Sequence, residues 1–458
     1  MRIVVIGGGA AGMAAASRAK RLRKEAEVVV VEKTDWISFA LCGMPYYIGC
    51  IVKRLEDLLH YPVEEFTKKR GIDVRLRNEA LDIDASSRTV RVQDEKGKEY
   101  ELEWDYLVLA LGAKSVASNV FPEIKELENV HYLSHLYDAY KIREKLLRLR
   151  RGSTINIVGA GYVGLELAHT VTELGYRVRV LEMADQVLPR SLDKDMADIV
   201  SNYLASKGVE LVLGEKTIGF TEKDGNVVVE TEGNSYESKL AIVGVGIKPN
   251  TDLAIKAGVE TGVTGAIKVD ERMETSISNV YAVGDAVETI NLVTGKPAWM
   301  PFAQIANKMG YVAGTNIGGR QAVFPGATGT STLEVFDLTI ARTGLTEAEA
   351  RNEGYNVITA KVTARTKPHY MSGSRQISLK VIADADTGKL LGAQGVGEDQ
   401  SVFWRVNVIA ALLERQSTVW DLFYSDIGYA PPLAPVWDSL IIAARLLMRK
   451  LGEVPKKA

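Results

Sequence analysis

The chain opens on four consecutive apolar residues, Ile3 to Ile6, and then breaks into glycine at positions 7, 8, 9 and 12. An alanine-rich stretch runs to Leu22, and a second apolar run, Val28 to Val31, ends in Glu32. Short apolar runs bounded by turn residues predict buried strands. Strand, glycine turn, helix, strand and terminal acid together predict a βαβ unit. The order then repeats: Ile155 to Val158, glycines at 159, 161 and 164, a helix, and Val178 to Leu181 ending in Glu182. A third glycine cluster closes the short β-rich run Asn279 to Asp285. Near the end, Leu440, Ile441, Ala444, Leu447, Met448 and Leu451 recur at helical spacing, which predicts a helix over 437–451. Its apolar face packs either into the chain's own core or against a second subunit.

Each glycine of a βαβ unit has its own task. Gly7 and Gly159 permit the tight turn, Gly9 and Gly161 let the backbone approach a pyrophosphate, and Gly12 and Gly164 let the helix pack on the strand. The positive end of the helix dipole then faces the phosphates. Glu32 and Glu182 are placed to accept hydrogen bonds from a ribose diol. Two such units predict two dinucleotides, and a hydride donor with a flavin is the pair that makes chemical sense. Glu182 repels a 2′-phosphate and Met183-Ala184-Asp185 offers no cation, which favours NADH. NADPH stays open because Arg177, Arg179 or Arg190 could reach that phosphate.

Composition narrows the picture. A length of 458 residues predicts about two to four domains. Hydrophobic residues make up 46% and charged residues 25%, the balance of a globular protein with a sizeable core. Lys and Arg total 56 against 58 for Asp and Glu, so no basic excess exists to neutralise nucleic-acid phosphates. No uncharged apolar run approaches the ~20 residues of a membrane span. Met1-Arg2 and the apolar stretch behind it have the outline of a signal peptide. The glycines at dinucleotide-binding spacing argue instead for a strand and helix. With only Cys42 and Cys50 present, no secreted disulfide framework exists, and a cytoplasmic location is expected. Neither the cysteine pair nor the five histidines have metal-ligand spacing.

Cys42 sits in Ser38-Phe39-Ala40-Leu41-Cys42-Gly43-Met44-Pro45, where Pro45 suits the first turn of a helix. A thiol at that helix start is expected to have a depressed pKa and to act as a nucleophile. On a continuous helix Cys50 would lie ~12 Å along the axis from Cys42, whereas disulfide partners need Cα atoms within ~7 Å. Cys50 is therefore expected to be a packing residue.

Together these motifs resemble the pyridine nucleotide-disulfide oxidoreductases over nearly the whole chain. Val108 to Ala113 is similar to that family's crossover between domains, although Ala110 and Leu111 stand where a Thr is usual. Gly244 to Asn250 is similar to its return strand. The resemblance implies an α/β fold with two Rossmann-like dinucleotide-binding domains plus an α+β C-terminal dimerisation domain. It implies FAD binding by residues 1–113 and 247–328, NAD(P)H binding by 114–246, and homodimerisation through 329–458. Ser38, Gly112, Gly246, Gly284 and Asp285 are implied as cofactor-binding residues, with Asp285 at the FAD ribitol. Tyr162 is implied to cover the flavin face and Glu166 to lie near the isoalloxazine.

Relatives of the glutathione-reductase type carry a second cysteine five positions on, where this chain has Tyr47. The resemblance is thus to the single-cysteine branch. Its NADH oxidases and peroxidases carry a histidine where this chain has Ala10, so sulfur chemistry is favoured. Lys367-Pro368-His369-Tyr370 and Tyr429-Ala430-Pro431-Pro432 are similar to stretches of the CoA disulfide reductases and of sulfur or polysulfide reductases. In those, tyrosines of the partner subunit approach the redox cysteine, which implies catalytic roles for Tyr370 and Tyr429. Arg18 and Arg21, otherwise a solvated basic face, are implied to grip the phosphates of CoA. The implied activity passes hydride from NAD(P)H through FAD to a Cys42 mixed disulfide and reduces CoA disulfide or a related disulfide. A polysulfide or sulfur reductase using the same thiol is the alternative. Further off stand an NADH oxidase, an electron-transfer flavoprotein reductase that does not need Cys42, and a non-catalytic redox sensor.

Overall fold

The computed structural model describes residues 1–452, so residues 453–458 of the implied C-terminal domain lie outside it. Strand Arg2–Ile6 pairs in parallel with Glu27–Glu32 on one side and Tyr106–Leu109 on the other. Asp73–Leu76 and Val280–Ala282 complete the five-stranded sheet. Val4, Val5, Val29, Val30, Leu107 and Val108 are all fully buried. Both faces of this sheet are covered, and that is why its strands are unbroken apolar runs rather than alternating ones. Helix Ala10–Leu22 lies against helix Ala303–Ile317 at close range, where a Cβ at Gly310 would collide with the Ala11 carbonyl.

A second parallel sheet repeats the plan. Thr154–Val158 lies between Arg177–Glu182 and Leu240–Val243, with Glu210–Leu213 and Val130–Tyr132 at the edges. Two short strands link the units: Ala113–Ser115 leaves the first and pairs antiparallel with Ile247–Pro249, which returns to it. The run ending at Asp285 therefore belongs to the first sheet, although the second unit intervenes in sequence.

The third part is an antiparallel five-stranded sheet in the spatial order Ser331–Val335, Leu338–Gly344, Leu390–Gly397, Gln376–Asp384, Val357–Arg365. The last helix spans Ser439–Leu451, starting two residues later than the periodicity suggests. Asp438 sets that start, since its carboxylate accepts the Leu440 N–H at 3.0 Å as an N-cap. Leu440, Ala444, Leu447 and Met448 are buried in one cluster with Val362, Leu379 and Val381. The helix face is thus the chain's own core, which decides between the two readings of it.

Lys380 ties this sheet to the second unit. Only 5% exposed, its ammonium lies 3.1 Å from Asp193, 3.0 Å from Asp195 and 2.9 Å from Glu347. Among the described residues no helix is long and apolar enough to cross a membrane.

Candidate active site

The two glycine turns are built alike. Gly7 has φ +103° and Gly159 φ +107°, a region that L side chains rarely adopt. A Cβ at Gly12 would collide with the Gly7 carbonyl oxygen, and one at Gly164 with that of Gly159. Gly9 and Gly161 differ: a Cβ there would meet nothing, because both face open space. They are also the N-caps of helices Ala10–Leu22 and Tyr162–Glu173, which have neither a side-chain cap nor an acidic residue in the first turn. Open backbone N–H groups at a helix start, with room before them, fit a pyrophosphate.

Glu32 accepts the Gly8 N–H at 2.7 Å and the Thr34 N–H at 2.8 Å. Glu182 repeats this with Ala160 at 2.8 Å and Ala184 at 2.9 Å. Each carboxylate is thus aimed back at its own turn, with lone pairs left for a ribose diol. Of the arginines near the second unit, Arg179 is committed to Glu210 at 2.9 Å. Gly112 and Gly246 flank the paired linker strands, where Asn250 donates to the Gly112 carbonyl and Val116 to that of Gly246. Ser38 lies against the first turn, its N–H donating to the Gly8 carbonyl at 2.8 Å. The residues present fit FAD and a nicotinamide dinucleotide.

Cys42 occupies a 3-10 turn, Leu41–Gly43, that leads into the short helix Met44–Ile48. The thiol is free and the residue exposed. Its pKa is raised, not depressed as the helix-start argument predicts. Desolvation is the largest cause, followed by the negative charges of Glu166 and Asp285. Only a hydrogen bond from its own backbone opposes them. A five-residue helix carries little dipole, and two carboxylates outweigh it.

The helix also ends at Ile48, so the chain is not continuous helix up to Cys50, as assumed above. Cys50 nevertheless stays unpaired and half-buried, with a left-handed backbone at φ 60°. Its neighbourhood is that of Tyr176, whose phenol it influences. Tyr47, at the position of the missing second cysteine, is buried beneath the Arg143 guanidinium 4.3 Å from its ring.

Helix Tyr162–Glu173 brings its first turn to the same place. The Glu166 carboxyl is pushed up to about 7 by burial, against a hydrogen bond from Tyr46 that pulls it down. The Tyr46 hydroxyl donates to Glu166 Oε1 at 3.4 Å, and the Tyr162 hydroxyl lies 2.5 Å from Ser331 Oγ. Gly284 and Asp285 form a short 3-10 turn, where burial raises the Asp285 carboxyl and Trp299 donates to the Asp285 carbonyl at 2.7 Å. Tyr46 and Ser331 were not anticipated. Tyr46 is four residues after Cys42, a helical spacing that would have pointed to it, whereas nothing in the sequence ties Ser331 to Tyr162.

Tyr370 and Tyr429, 59 positions apart in sequence, lie near enough for the Tyr370 phenol to raise that of Tyr429. Both are exposed, and so are Leu433, Val436 and Trp437 on the same segment as Tyr429. Arg18 is held by its Nε donating to Thr315 Oγ1 at 3.0 Å and by the Tyr311 ring at 4.5 Å. Arg21 is exposed on the same helix.

Two parallel-sheet dinucleotide units, joined by paired linker strands and capped by an antiparallel sheet, define a flavin-dependent NAD(P)H oxidoreductase. The chain belongs to the pyridine nucleotide-disulphide oxidoreductase family, whose profile matches residues 1–310, and the family's dimerisation domain matches residues 330–440. It is 45% identical to the NAD(P)H sulfur oxidoreductase (CoA-dependent) of Pyrococcus furiosus over 451 residues, covering 97% of this chain and 99% of that one. It is 44% identical to the NAD(P)H coenzyme A polysulfide/persulfide reductase of Pyrococcus horikoshii, covering 97% and 98%. A solved NAD-dependent persulfide reductase from A. fulgidus superposes with a TM-score of 0.94 at 38% identity, over 98% of this chain and 83% of that one.

Proposed function

We propose that the protein is an NAD(P)H-dependent reductase of CoA-linked sulfur, acting on CoA disulfide and on polysulfide through Cys42. The observation that carries this is the free thiol of exposed Cys42, on which the carboxylates of Glu166 and Asp285 act. The names of the relatives, sulfur and polysulfide/persulfide reductases, support the same chemistry. Residues 1–113 and 247–328 form the FAD-binding part, 114–246 the NAD(P)H-binding part, and 329–458 the dimerisation part.

The turn Gly7, Gly9, Gly12 with Glu32 and Asp285 would hold FAD, and the turn Gly159, Gly161, Gly164 with Glu182 would hold NADH. When bound, the two groups supply a pair of electrons to the sulfur. The Cys42 thiolate attacks one sulfur of the incoming CoA disulfide, the S–S bond breaks, and one CoA thiol leaves. Cys42 is then held in a mixed disulfide until two electrons cleave it and free the second CoA. With polysulfide the same attack leaves Cys42 as a persulfide.

The protein is proposed to work as a homodimer, in which the Tyr370–Tyr429 pair of one subunit faces Cys42 of the other. There it would donate a proton to the departing thiolate. Dimerisation would also cover the exposed Leu433, Val436 and Trp437. Arg18, held rigid by Thr315 and Tyr311, and exposed Arg21 would bind the CoA phosphates. Two unpaired cysteines fit a reducing cytoplasm.

Anaerobic NADH consumption by the FAD-loaded protein, with CoA disulfide or polysulfide at equal concentration, tests the reading. Fast turnover with either is expected, and Cys42→Ser should abolish it. Full turnover by Cys42→Ser would overturn the thiol mechanism.

A further inference from the structure

Beside the second glycine turn runs a stretch without helix or strand, residues 183–193, between Glu182 and helix Lys194–Ser206. Leu188 of this loop donates its N–H to the Ala160 carbonyl at 2.9 Å, and Gly214 donates to the Ala184 carbonyl at 2.8 Å. Ala160 is also the residue whose N–H the Glu182 carboxylate accepts. The loop and the ribose acceptor thus share one residue of the turn. Leu188 makes its contact at φ 49°, a left-handed backbone that is costly for a leucine. The loop's own preferences work against this shape, so other contacts must hold it.

Those contacts come from the C-terminal sheet. Arg342 Nη1 donates to the Arg190 carbonyl at 2.8 Å, and the same guanidinium is fixed by Glu349 at 2.9 Å and by the Gly344 carbonyl. Gln394, fully buried, pairs with Asp193 in both directions. Its Oε1 accepts the Asp193 N–H at 2.9 Å, and its amide donates to the Asp193 carboxylate at 2.6 Å. That carboxylate also accepts the Glu347 N–H at 3.1 Å, at the start of helix Glu347–Asn352. The second half of the loop is therefore gripped from outside its own unit.

We propose that Arg342 and Gln394 are positioning residues for the nicotinamide dinucleotide. They hold residues 183–193 against the second glycine turn, so the Glu182 side of the site is already ordered when the dinucleotide arrives. A loop freed from the sheet would have to be ordered by the ligand, and that cost falls on affinity. The limiting rate of electron delivery is set elsewhere and stays. FAD, assigned to the first turn, is untouched. This rests on the assignment of NADH to the second turn.

The test is anaerobic stopped-flow reduction of FAD-loaded protein, in which flavin bleaching against NADH concentration gives an affinity and a limiting rate separately. Arg342→Met and Gln394→Ala should each weaken NADH about three- to tenfold, with the limiting rate within about twofold of wild type. Arg342→Lys should recover part of the affinity, since an ammonium still donates to the Arg190 carbonyl. A second readout needs no turnover: trypsin should cut after Arg190 faster in Arg342→Met, and added NAD⁺ should slow that cut. Asp438→Asn is the control, because it weakens a buried ion pair with Arg405 (2.6 Å) elsewhere in the C-terminal part. It should lower the melting temperature and leave NADH affinity alone. Wild-type affinity in both Arg342→Met and Gln394→Ala would overturn the proposal. So would an equal loss in Asp438→Asn, which would mark a general loosening. Failure of the underlying assignment looks different: Gly161→Val would then bind NADH as wild type does.

Discussion

The Glu182 carboxylate accepts the backbone N–H of Ala160 at 2.8 Å, which holds a negative charge against the second glycine turn. A 2′-phosphate placed by that turn would meet this charge directly. NADH is therefore expected to be preferred over NADPH. Glu182→Gln should raise the ratio of kcat/KM for NADPH to that for NADH by about tenfold. Steady-state kinetics with both nucleotides measure this, and an unchanged ratio would put the discrimination elsewhere.

The second glycine turn separates packing from binding. Gly164→Ala drives a Cβ into the Gly159 carbonyl oxygen and should cost about 1–3 kcal/mol of stability. Gly161→Val places its side chain in open space on extended backbone, so the melting temperature should stay near that of wild type. NADH affinity should nevertheless fall at least ~10-fold, because the valine occupies the place of the pyrophosphate. Thermal melts beside NADH titrations separate the two effects.

Lys380 is a buried cation facing three carboxylates, and Lys380→Met would leave those carboxylates facing one another. The loss should be about 3–5 kcal/mol, read from denaturant unfolding. Burial works against the charged forms of Asp195 and Glu347, yet their lysine and arginine partners hold both carboxyls below their usual range. A lowered carboxyl pKa gives stability that is present above the unfolded value and lost as pH falls through the folded one. The contact between the second unit and the C-terminal sheet should therefore loosen below about pH 4, and limited proteolysis across that range would show it.

Glu166 has the opposite sign. Its folded pKa of about 7 is raised above the unfolded value, so its contribution to stability is full at low pH and is lost as pH rises through 7. The loss is on the order of 3 kcal/mol. Glu166→Gln removes the penalty and should melt higher than wild type at about pH 8 but not at about pH 5. Equal differences at both pH values would show that the carboxyl is not raised.

If the Tyr370–Tyr429 pair donates the proton proposed for it, replacing both with phenylalanine should lower kcat with CoA disulfide by about 10²-fold. Each single variant should cost less, since either phenol can donate alone. A double variant with wild-type kcat would return the pair to loop packing.

Much of the fold was legible because it is written in local spacing. Glycines two and five positions after Gly7 and Gly159, each after an apolar run and before an acid, specify a turn through backbone sterics alone. Both turns form where that spacing places them, with Glu32 and Glu182 folded back on them. Periodicity also placed the last helix but not its partner, since an apolar face packs on a sheet or a subunit equally well. What only the tertiary structure decided is the electrostatic state of the site. Cys42 at a helix start reads as an acidified thiol, whereas burial and the carboxylates of Glu166 and Asp285, brought from two other parts of the chain, push it the other way. The same holds for Tyr46 with Glu166, Tyr162 with Ser331 and Tyr370 with Tyr429. Backbone geometry depends on neighbours in sequence. The free energy of a charge depends on distances through space and on how much water is excluded, and those exist only once the chain has folded.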